Sequence, residues 1–431
     1  MQAGDRVTAV GQGIDGKLQD VVGWRVDDVV DLIRGPKHTI VRLEVLHEDT
    51  GIDGPTEIIE IVRDEVKLEE QAAKSRIIEI PGENEEVVKV GVIDLPVFYL
   101  DFNGRAKNLP DYRSSTRDVR KLIEEMKVEG IEGLVVDLRN NGGGSLLEAT
   151  TLTGLFIDEG PVVQVRNSSG RISTEEDTDP GMAWEGPLAV LVNRYSASAS
   201  EIFAAAIQDY GRGLIIGETT FGKGTVQNLV DLDDYAPTSD SGKMGQLKIT
   251  MAQFFRVNGG STQNRGVEPD IRFPSAGDPE DYGERSLDNA VPWTRIPTAS
   301  YEREGDMGRM VAVTELGYQD RISDSQEFSW LLSDVEEFNL NKDKKEISLL
   351  ETTRREEMDE DEAKRKARKA ARENNGPLLE ESDEFADAGE PPEAAADDAE
   401  EDAEEADEED DRPDLLLRES ARIVGDMIEL G

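Results

Sequence analysis

Apolar and polar positions along this chain recur in two different periods. Up to about residue 75, Val41, Leu43 and Val45 occupy every second position, as in a half-buried strand, while Val26, Val29, Val30 and Ile33 recur at helical spacing. That combination predicts a small mixed domain. From about Val87 the pattern becomes strand–helix–strand. Val90 to Leu95 predicts a strand, Val119, Leu122, Ile123 and Met126 a helix opened by Ser115 or Thr116, and Leu134-Val135-Val136 a second strand. A helix over Leu146 to Phe156, a buried strand over Leu188 to Val192 and a helix from Ser198 continue the alternation. The fold class predicted is α/β, a largely parallel sheet covered by helices.

Later segments are read in the same way. Leu247 to Val257 is β-rich and closed by Asn258-Gly259, a hairpin signal. Ser323 with Gln326 reads as a capping box ahead of Phe328, Leu331, Leu332, Val335 and Phe338. Residues 356–372 pass from acidic to basic, matching the helix dipole at both ends, and predict a solvated helix. Residues 376–413 hold almost no apolar bulk and predict disorder. The closing segment, 414–431, predicts an amphipathic helix whose Leu416, Ile423, Met427 and Leu430 need a surface to pack on.

Composition narrows the function classes. With 431 residues the chain can bury a core without disulfides or metals, and the absence of cysteine excludes a thiol nucleophile, a zinc ribbon and an iron–sulfur site. The net charge is −46, of which residues 380–414 contribute −19 through 20 acids and the single base Arg412. The remaining −27 is spread over the rest, which argues against nucleic acid or an anionic membrane as partner. No apolar run approaches the ~20 residues of a membrane span, and Met1 to Val10 lacks a signal-peptide core.

Candidate chemistry concentrates in Asn193 to Gln227. Ser196, Ser198 and Ser200 lie where a buried strand ends and a helix begins, and Ser198 with Glu201 forms an S-x-x-E capping box. A serine there is a helix cap on spacing alone. It also has catalytic potential, because the free N–H groups and dipole of a helix start can stabilise an oxyanion. The two histidines, His38 and His47, both fall in the N-terminal domain, so a Ser/His/Asp triad is disfavoured. Lysine can serve as base when burial lowers its pKa from about 10.4 to about 7 or 8. Lys223 lies between Gly222 and Gly224, and Gln227, four residues on, is placed to hold its amine. Gly217 to Gly224 nearly matches a phosphate-binding loop, but Gly224 stands where a Ser or Thr must hold magnesium, and a strand-like run follows. Gly11 to Gly16 spells G-x-G-x-x-G yet reads better as a turn. Gly142-Gly143-Gly144 follows a predicted parallel strand, where α/β sheets place their sites. No cofactor or metal is called for.

Taken in order, D-L-R-N-N-G-G-G (137–144), S-A-S-A-S-E-I (196–202) and T-F-G-K-G-T-V-Q (220–227) resemble the C-terminal processing, or tail-specific, protease family. The likeness extends to V-N-G-G-S-T-Q-N-R-G-V-E-P-D-I (257–271) and D-N-A-V-P-W (288–293). The resemblance implies a crotonase/Clp-protease-like body, a PDZ domain before it and a helical region after it. In this chain that gives a partial PDZ domain over 1–75, the protease over 76–275, a helical domain over 276–375, an acidic linker over 376–413 and a terminal helix over 414–431. It implies that Ser198 is the nucleophile, Lys223 the base, Gln227 its orienting partner, Ala199 and Gly144 the oxyanion donors, and Asp209 a charge-relay support or a polar residue on the outer face of its helix. It further implies protein substrates with apolar C-termini, an adaptor as a further partner, and a periplasmic location. Q-A-G-D-R-V (2–7) resembles the interior of the PDZ domain, so a leader, an N-terminal helical domain and the PDZ carboxylate loop are expected upstream of Met1. The competing classes are an inert PDZ-type scaffold and a nucleotide-binding protein.

Overall fold

The computed structural model describes residues 4–47, 54–64, 71–82, 86–235, 245–342, 344, 346–374, 386–387 and 414–431. The predicted disordered stretch, 376–413, lies outside the described residues except for 386–387. Two compact units are formed, Met1–Glu69 and Glu70–Gly431.

The first unit is a four-stranded antiparallel sheet with one helix: β1 (Arg6–Gln12), β2 (Gln19–Asp20), α1 (Val26–Ile33), β3 (Ile40–Leu46) and β4 (Thr56–Val62), in the order β2-β1-β3-β4. The alternation read from Val41, Leu43 and Val45 is realised, since all three are buried with Val10 and Val21, and Val29 and Ile33 of α1 pack against them. The G-x-G-x-x-G segment forms the turn between β1 and β2.

The second unit opens with an antiparallel pair, β5 (Lys74–Pro81) and β6 (Val87–Asp94), so the strand beginning at Lys74 already belongs to it. The chain then runs through α2 (Phe102–Ala106), α3 (Ser115–Val128), β7 (Gly133–Asp137), α4 (Leu146–Thr153), β8 (Gly160–Asn167), β9 (Ile172–Asp177), β10 (Leu188–Val192), α5 (Ala199–Tyr210), β11 (Leu214–Gly217), β12 (Thr225–Asp231), β13 (Gln246–Phe255) and β14 (Ile271–Arg272). It ends with α6 (Gly308–Asp324), α7 (Gln326–Asn341), α8 (Glu351–Asn374), β15 (Ala386–Asp387) and α9 (Leu415–Leu430). The central sheet has the order β14-β11-β10-β7-β6-β5-β15, with β6, β7, β10, β11 and β14 parallel. A separate antiparallel sheet, β12-β13-β8-β9, stands beside it.

Successive residues of β7 point to opposite faces, and each face meets a helical layer. Leu134 and Val136 join α3, α4 and α5 through Leu122, Ile123, Leu152 and Phe203. Val135 instead joins Tyr318 of α6, Phe328 of α7 and Leu417, Ala421, Ile423, Val424 and Met427 of α9. The terminal helix therefore packs on the central sheet itself. Its buried row includes Leu417, whereas Leu416 is only half-buried and Leu430 is 38% exposed, because a helix lying across a sheet turns a broader face inward than two positions per turn suggest. Gly133 permits that approach: a Cβ there would lie 2.2 Å from Val424 Cγ1.

Three local expectations shift. Helix α3 is capped by Ser114, one residue before the predicted start, its hydroxyl accepting from Arg117 N at 3.4 Å. Helix α7 is capped by Ser325, not Ser323, which lies in α6. The Asn258-Gly259 turn closes with Arg256 N donating to Gly260 O at 2.7 Å, but β13 pairs with β12 and β8, so no hairpin strand follows. The charge gradient of 356–372 is also used differently: Arg368 and Lys364 of α8 pair with Asp334 of α7, and Arg372 with Glu327, making one helix's base-rich end the partner of another's acids.

Candidate active site

The parallel strands β7 and β10 end side by side, and the two segments leaving them meet. After β10, Ser196, Ser198 and Ser200 have three different fates. Ser196 is fully buried, its hydroxyl donating to Leu138 O at 2.8 Å and accepting from Asn193 N at 2.9 Å. Ser200, also fully buried, donates to Asn141 O at 2.9 Å. Ser198 is only half-buried; it keeps the capping-box arrangement with Glu201, through Ser198 N donating to Glu201 Oε2 at 2.8 Å, but its hydroxyl takes part in no hydrogen bond of ordinary geometry among the described residues. Its backbone is at φ 58°, ψ −109°, a conformation that costs a non-glycine residue about 1–3 kcal/mol. A sharp strand-to-helix turn of this kind lifts the hydroxyl out of the chain's own hydrogen bonding.

The segment after β7 lies directly on that turn. A Cβ on Gly143, whose φ is 106°, would come within 2.8 Å of Ser198 Cβ and 3.0 Å of Ala199 N. Asn141, fully buried, pins the two segments together: its carbonyl accepts from Ala197 N and Ser200 Oγ, its Oδ1 from Gly143 N, and its Nδ2 donates to Leu95 O. Among the described residues, the N–H groups of Gly144 and Ala199 donate to no protein acceptor.

Glu201 was legible only as the N3 member of a capping box. It is fully buried, and its carboxylate accepts four hydrogen bonds: Oε2 from Ser198 N (2.8 Å) and Lys223 N (3.0 Å), Oε1 from Thr220 Oγ1 (2.7 Å) and Gly222 N (2.7 Å). One carboxylate oxygen is thus shared by the backbones of Ser198 and Lys223, tying the serine turn to the lysine loop. Burial pushes its pKa up to about 7 against the downward pull of those donors. Sequence could have flagged it only as an acid that directly follows three alternate serines; its burial is a tertiary fact.

Lys223 is half-buried, and its pKa is lowered, first by desolvation and then by the nearby charge of Lys248, with Glu284 and Glu201 acting in the opposite sense. Its loop is cradled by residues 262–264. Thr262 Oγ1 donates to Lys223 O at 3.3 Å, Gln263 Oε1 accepts from Gly224 N at 2.8 Å, and Asn264 N donates to Gly222 O at 2.8 Å. The loop leads into β12, not into a helix, so the phosphate-loop alternative lacks its helix N-terminus.

Two predicted participants stand elsewhere. Gln227 is exposed and makes no hydrogen bond to Lys223; a bulge between Val226 and Gln227 breaks the alternation on which the four-residue spacing relied. Asp209 lies about 16 Å along α5 from Ser198. It is buried rather than on an outer face, pairs with Arg256 at 2.6 Å and accepts from Asn258 Nδ2 at 2.7 Å, fastening the end of α5 to the turn after β13. Among the described residues there is no cluster of acids and histidines that could hold a metal, and no helix is long and apolar enough to cross a membrane.

Residues 89–273 match peptidase family S41, and residues 277–429 match the C-terminal domain of tail specific protease. The chain is 44% identical over 368 residues to a tail-specific protease of Haemophilus influenzae, covering 85% of this chain and 50% of that protein. It is 34% identical over 259 residues to a carboxy-terminal-processing protease of Bartonella bacilliformis, covering 60% and 52%. Among solved structures it is similar to a photosystem II D1 C-terminal processing protease, at 29% identity and a TM-score of 0.39 over 65% of this chain and 64% of that one. The PDZ domain of a carboxy-terminal protease from Vibrio cholerae, in complex with a peptide, is 48% identical over 16% of this chain and 65% of that one, with a TM-score of 0.15. The chain spans about half the length of the curated relatives it matches. Its α/β segment is thus of the peptidase family S41 kind, and the helical segment that follows it is of the kind found at the C-terminus of tail-specific proteases.

Proposed function

We propose that this chain is a serine endopeptidase in which Ser198 attacks the scissile carbonyl and Lys223, as a neutral amine, takes its proton. The observation that carries this reading is the contrast among the three serines: two hydroxyls are consumed by buried hydrogen bonds, and the third stands at a strained turn whose backbone shares a carboxylate with the lysine loop. The hydroxyl adds to the carbonyl carbon, its proton passes to Lys223 Nζ, and the oxyanion meets the N–H groups of Gly144 and Ala199. Collapse expels the amine product, which receives that proton, and leaves an acyl-enzyme at Ser198. Water then repeats the sequence and frees the serine. For Gln227 the orienting role rests on the motif alone, since its side chain is exposed and makes no hydrogen bond to Lys223 in this structure.

The names of the relatives, tail-specific and carboxy-terminal-processing proteases, support a reading in which the substrate's C-terminal tail directs cleavage; to it we add, as part of the same proposal, an apolar C-terminus as the feature recognised, delivery by a PDZ-type unit or an adaptor, and a periplasmic location. The test is cleavage of an unfolded protein carrying a free or an amidated apolar C-terminus. Cleavage that requires the free terminus is expected, with Ser198→Ala reduced to background and Lys223→Ala lowered by about 10²–10⁴-fold. If both variants leave cleavage intact, the mechanism is wrong; if the wild-type chain cleaves neither substrate, the inert-scaffold reading replaces it.

A further inference from the structure

We propose that Asp414, at the start of the C-terminal helix, is a positioning residue for the Ser198 site, acting through Arg139 on the loop that carries Gly143 and Gly144. The inference rests on the reading of Ser198 as nucleophile. It begins from a contact between residues 275 positions apart. Arg139 leaves the end of β7 and grips two carboxylates at once. Its Nε donates to both Asp137 oxygens at 2.9 and 3.0 Å, its Nη1 donates to Asp414 Oδ1 at 3.1 Å, and its Nη2 donates to both Asp137 Oδ2 and Asp414 Oδ2. Bidentate guanidinium–carboxylate pairs are the geometrically demanding kind, so the planes of all three groups are set together.

Asp414 is held from its own side as well, its Oδ1 accepting from Leu417 N at 3.0 Å as the N-cap of α9. That helix is anchored by Leu417, Ala421, Ile423, Val424 and Met427 against the central sheet. Arg139 is therefore clamped between a strand end and a docked helix. From Arg139 the chain has little slack before the site. Asn140, at φ 60°, exchanges hydrogen bonds with Asn193 at 3.0 and 2.8 Å. Asn141 bonds to Ala197 and Ser200 on either side of the nucleophile, and Gly143 rests on Ser198. A shift of Arg139 is passed to the Gly144 N–H, where an error of about 1 Å costs up to about 10²-fold in rate.

The test uses the full chain with two variants. Asp414→Asn retains an N-cap of equal quality but loses the ionic grip on Arg139. Asp426→Asn loosens the same helix at its far end, where Asp426 pairs with Arg321 at 2.9 Å. Steady-state kinetics on a peptide substrate, labelling of Ser198 by a fluorophosphonate and the thermal midpoint are measured for each. Asp414→Asn is expected to lower kcat and the labelling rate by about tenfold or more with KM within about twofold, while Asp426→Asn lowers the midpoint and leaves kcat unchanged. Wild-type kcat and labelling in Asp414→Asn overturn the proposal, as does an equal kcat loss in Asp426→Asn, which would make the effect one of helix docking alone. A wild-type chain that does not label at Ser198 overturns the underlying reading instead.

Discussion

At the scale of single residues, the site depends on atoms that the chain's own folding leaves unsatisfied. Ser198 holds a positive φ that an alanine would hold at the same cost and a glycine at almost none. Ser198→Gly is therefore expected to unfold at higher denaturant than Ser198→Ala, by about 1–2 kcal/mol, while both are inactive; chemical denaturation of the pair measures it. Glu201 sets a pH dependence with a definite sign. Its folded pKa of about 7 lies above the ordinary 4.5, so the folded state retains the proton between those values. The stability that proton contributes is complete below about pH 4.5 and is lost as pH rises through about 7. Activity runs the opposite way, because three of the four groups facing Glu201 are backbone N–H donors that are met best by the ionised form, and because the lowered pKa of Lys223 frees its amine as pH rises. A kcat that climbs through about pH 7 is expected. Glu201→Gln aims two N–H donors at backbone N–H groups; it should lower kcat by about 10²-fold and flatten the stability slope between pH 5 and 7, both readable from pH-resolved kinetics and urea unfolding.

At the scale of elements, close approach governs both the site loop and the helix that closes the chain. Gly143→Ala would place a methyl group 2.8 Å from Ala197 O and Ser198 Cβ at a φ of 106°. Loss of at least about 10²-fold in kcat with a folded circular dichroism spectrum is expected, since the loop must move off the serine. On α9, Ile423 is fully buried, and Ile423→Ala should cost about 2–5 kcal/mol in urea unfolding. The apolar period predicted α3, α5 and β7 correctly, because each has strong one-sided or two-sided burial that any neighbour would satisfy, whereas in α1 Val26 of the predicted row is 77% exposed. Element ends were less legible. Ser323 and Ser325 carry the same chemistry two residues apart, and only the packing of Phe328 against Tyr318 selects the second as cap.

At the scale of the whole molecule, residues 414–431 complete a layer of the second unit rather than append to it. Val135, Val90, Val92, Ala189 and Leu191 of the sheet share a core with α9. A chain ending at residue 413 would expose that face, a contiguous apolar surface of the kind that drives aggregation. Such a truncation is expected to bind a hydrophobic dye strongly and to lose the cooperative unfolding transition of the second unit, measurable by fluorescence and calorimetry. Addition of the 414–431 peptide in trans should restore part of that transition, because the buried row on α9 is self-contained.

The sequence by itself determined the α/β class, the main alternation of strands and helices from Val90 to the Ser198 helix without β8 and β9, the stretch in which the chemistry lies and, through three linked motifs, the family. It could do so because strand and helix periods, glycine clusters and motif spacing are local properties of the chain. Only the tertiary structure decided which serine hydroxyl is left free, that Glu201 joins the serine turn to the lysine loop, that Asp209 serves an ion pair at the far end of its helix, and that the last helix closes the sheet and reaches Arg139. Each of these depends on groups distant in sequence sharing one buried space. There, hydrogen-bond satisfaction and packing assign the roles, and no spacing along the chain records them.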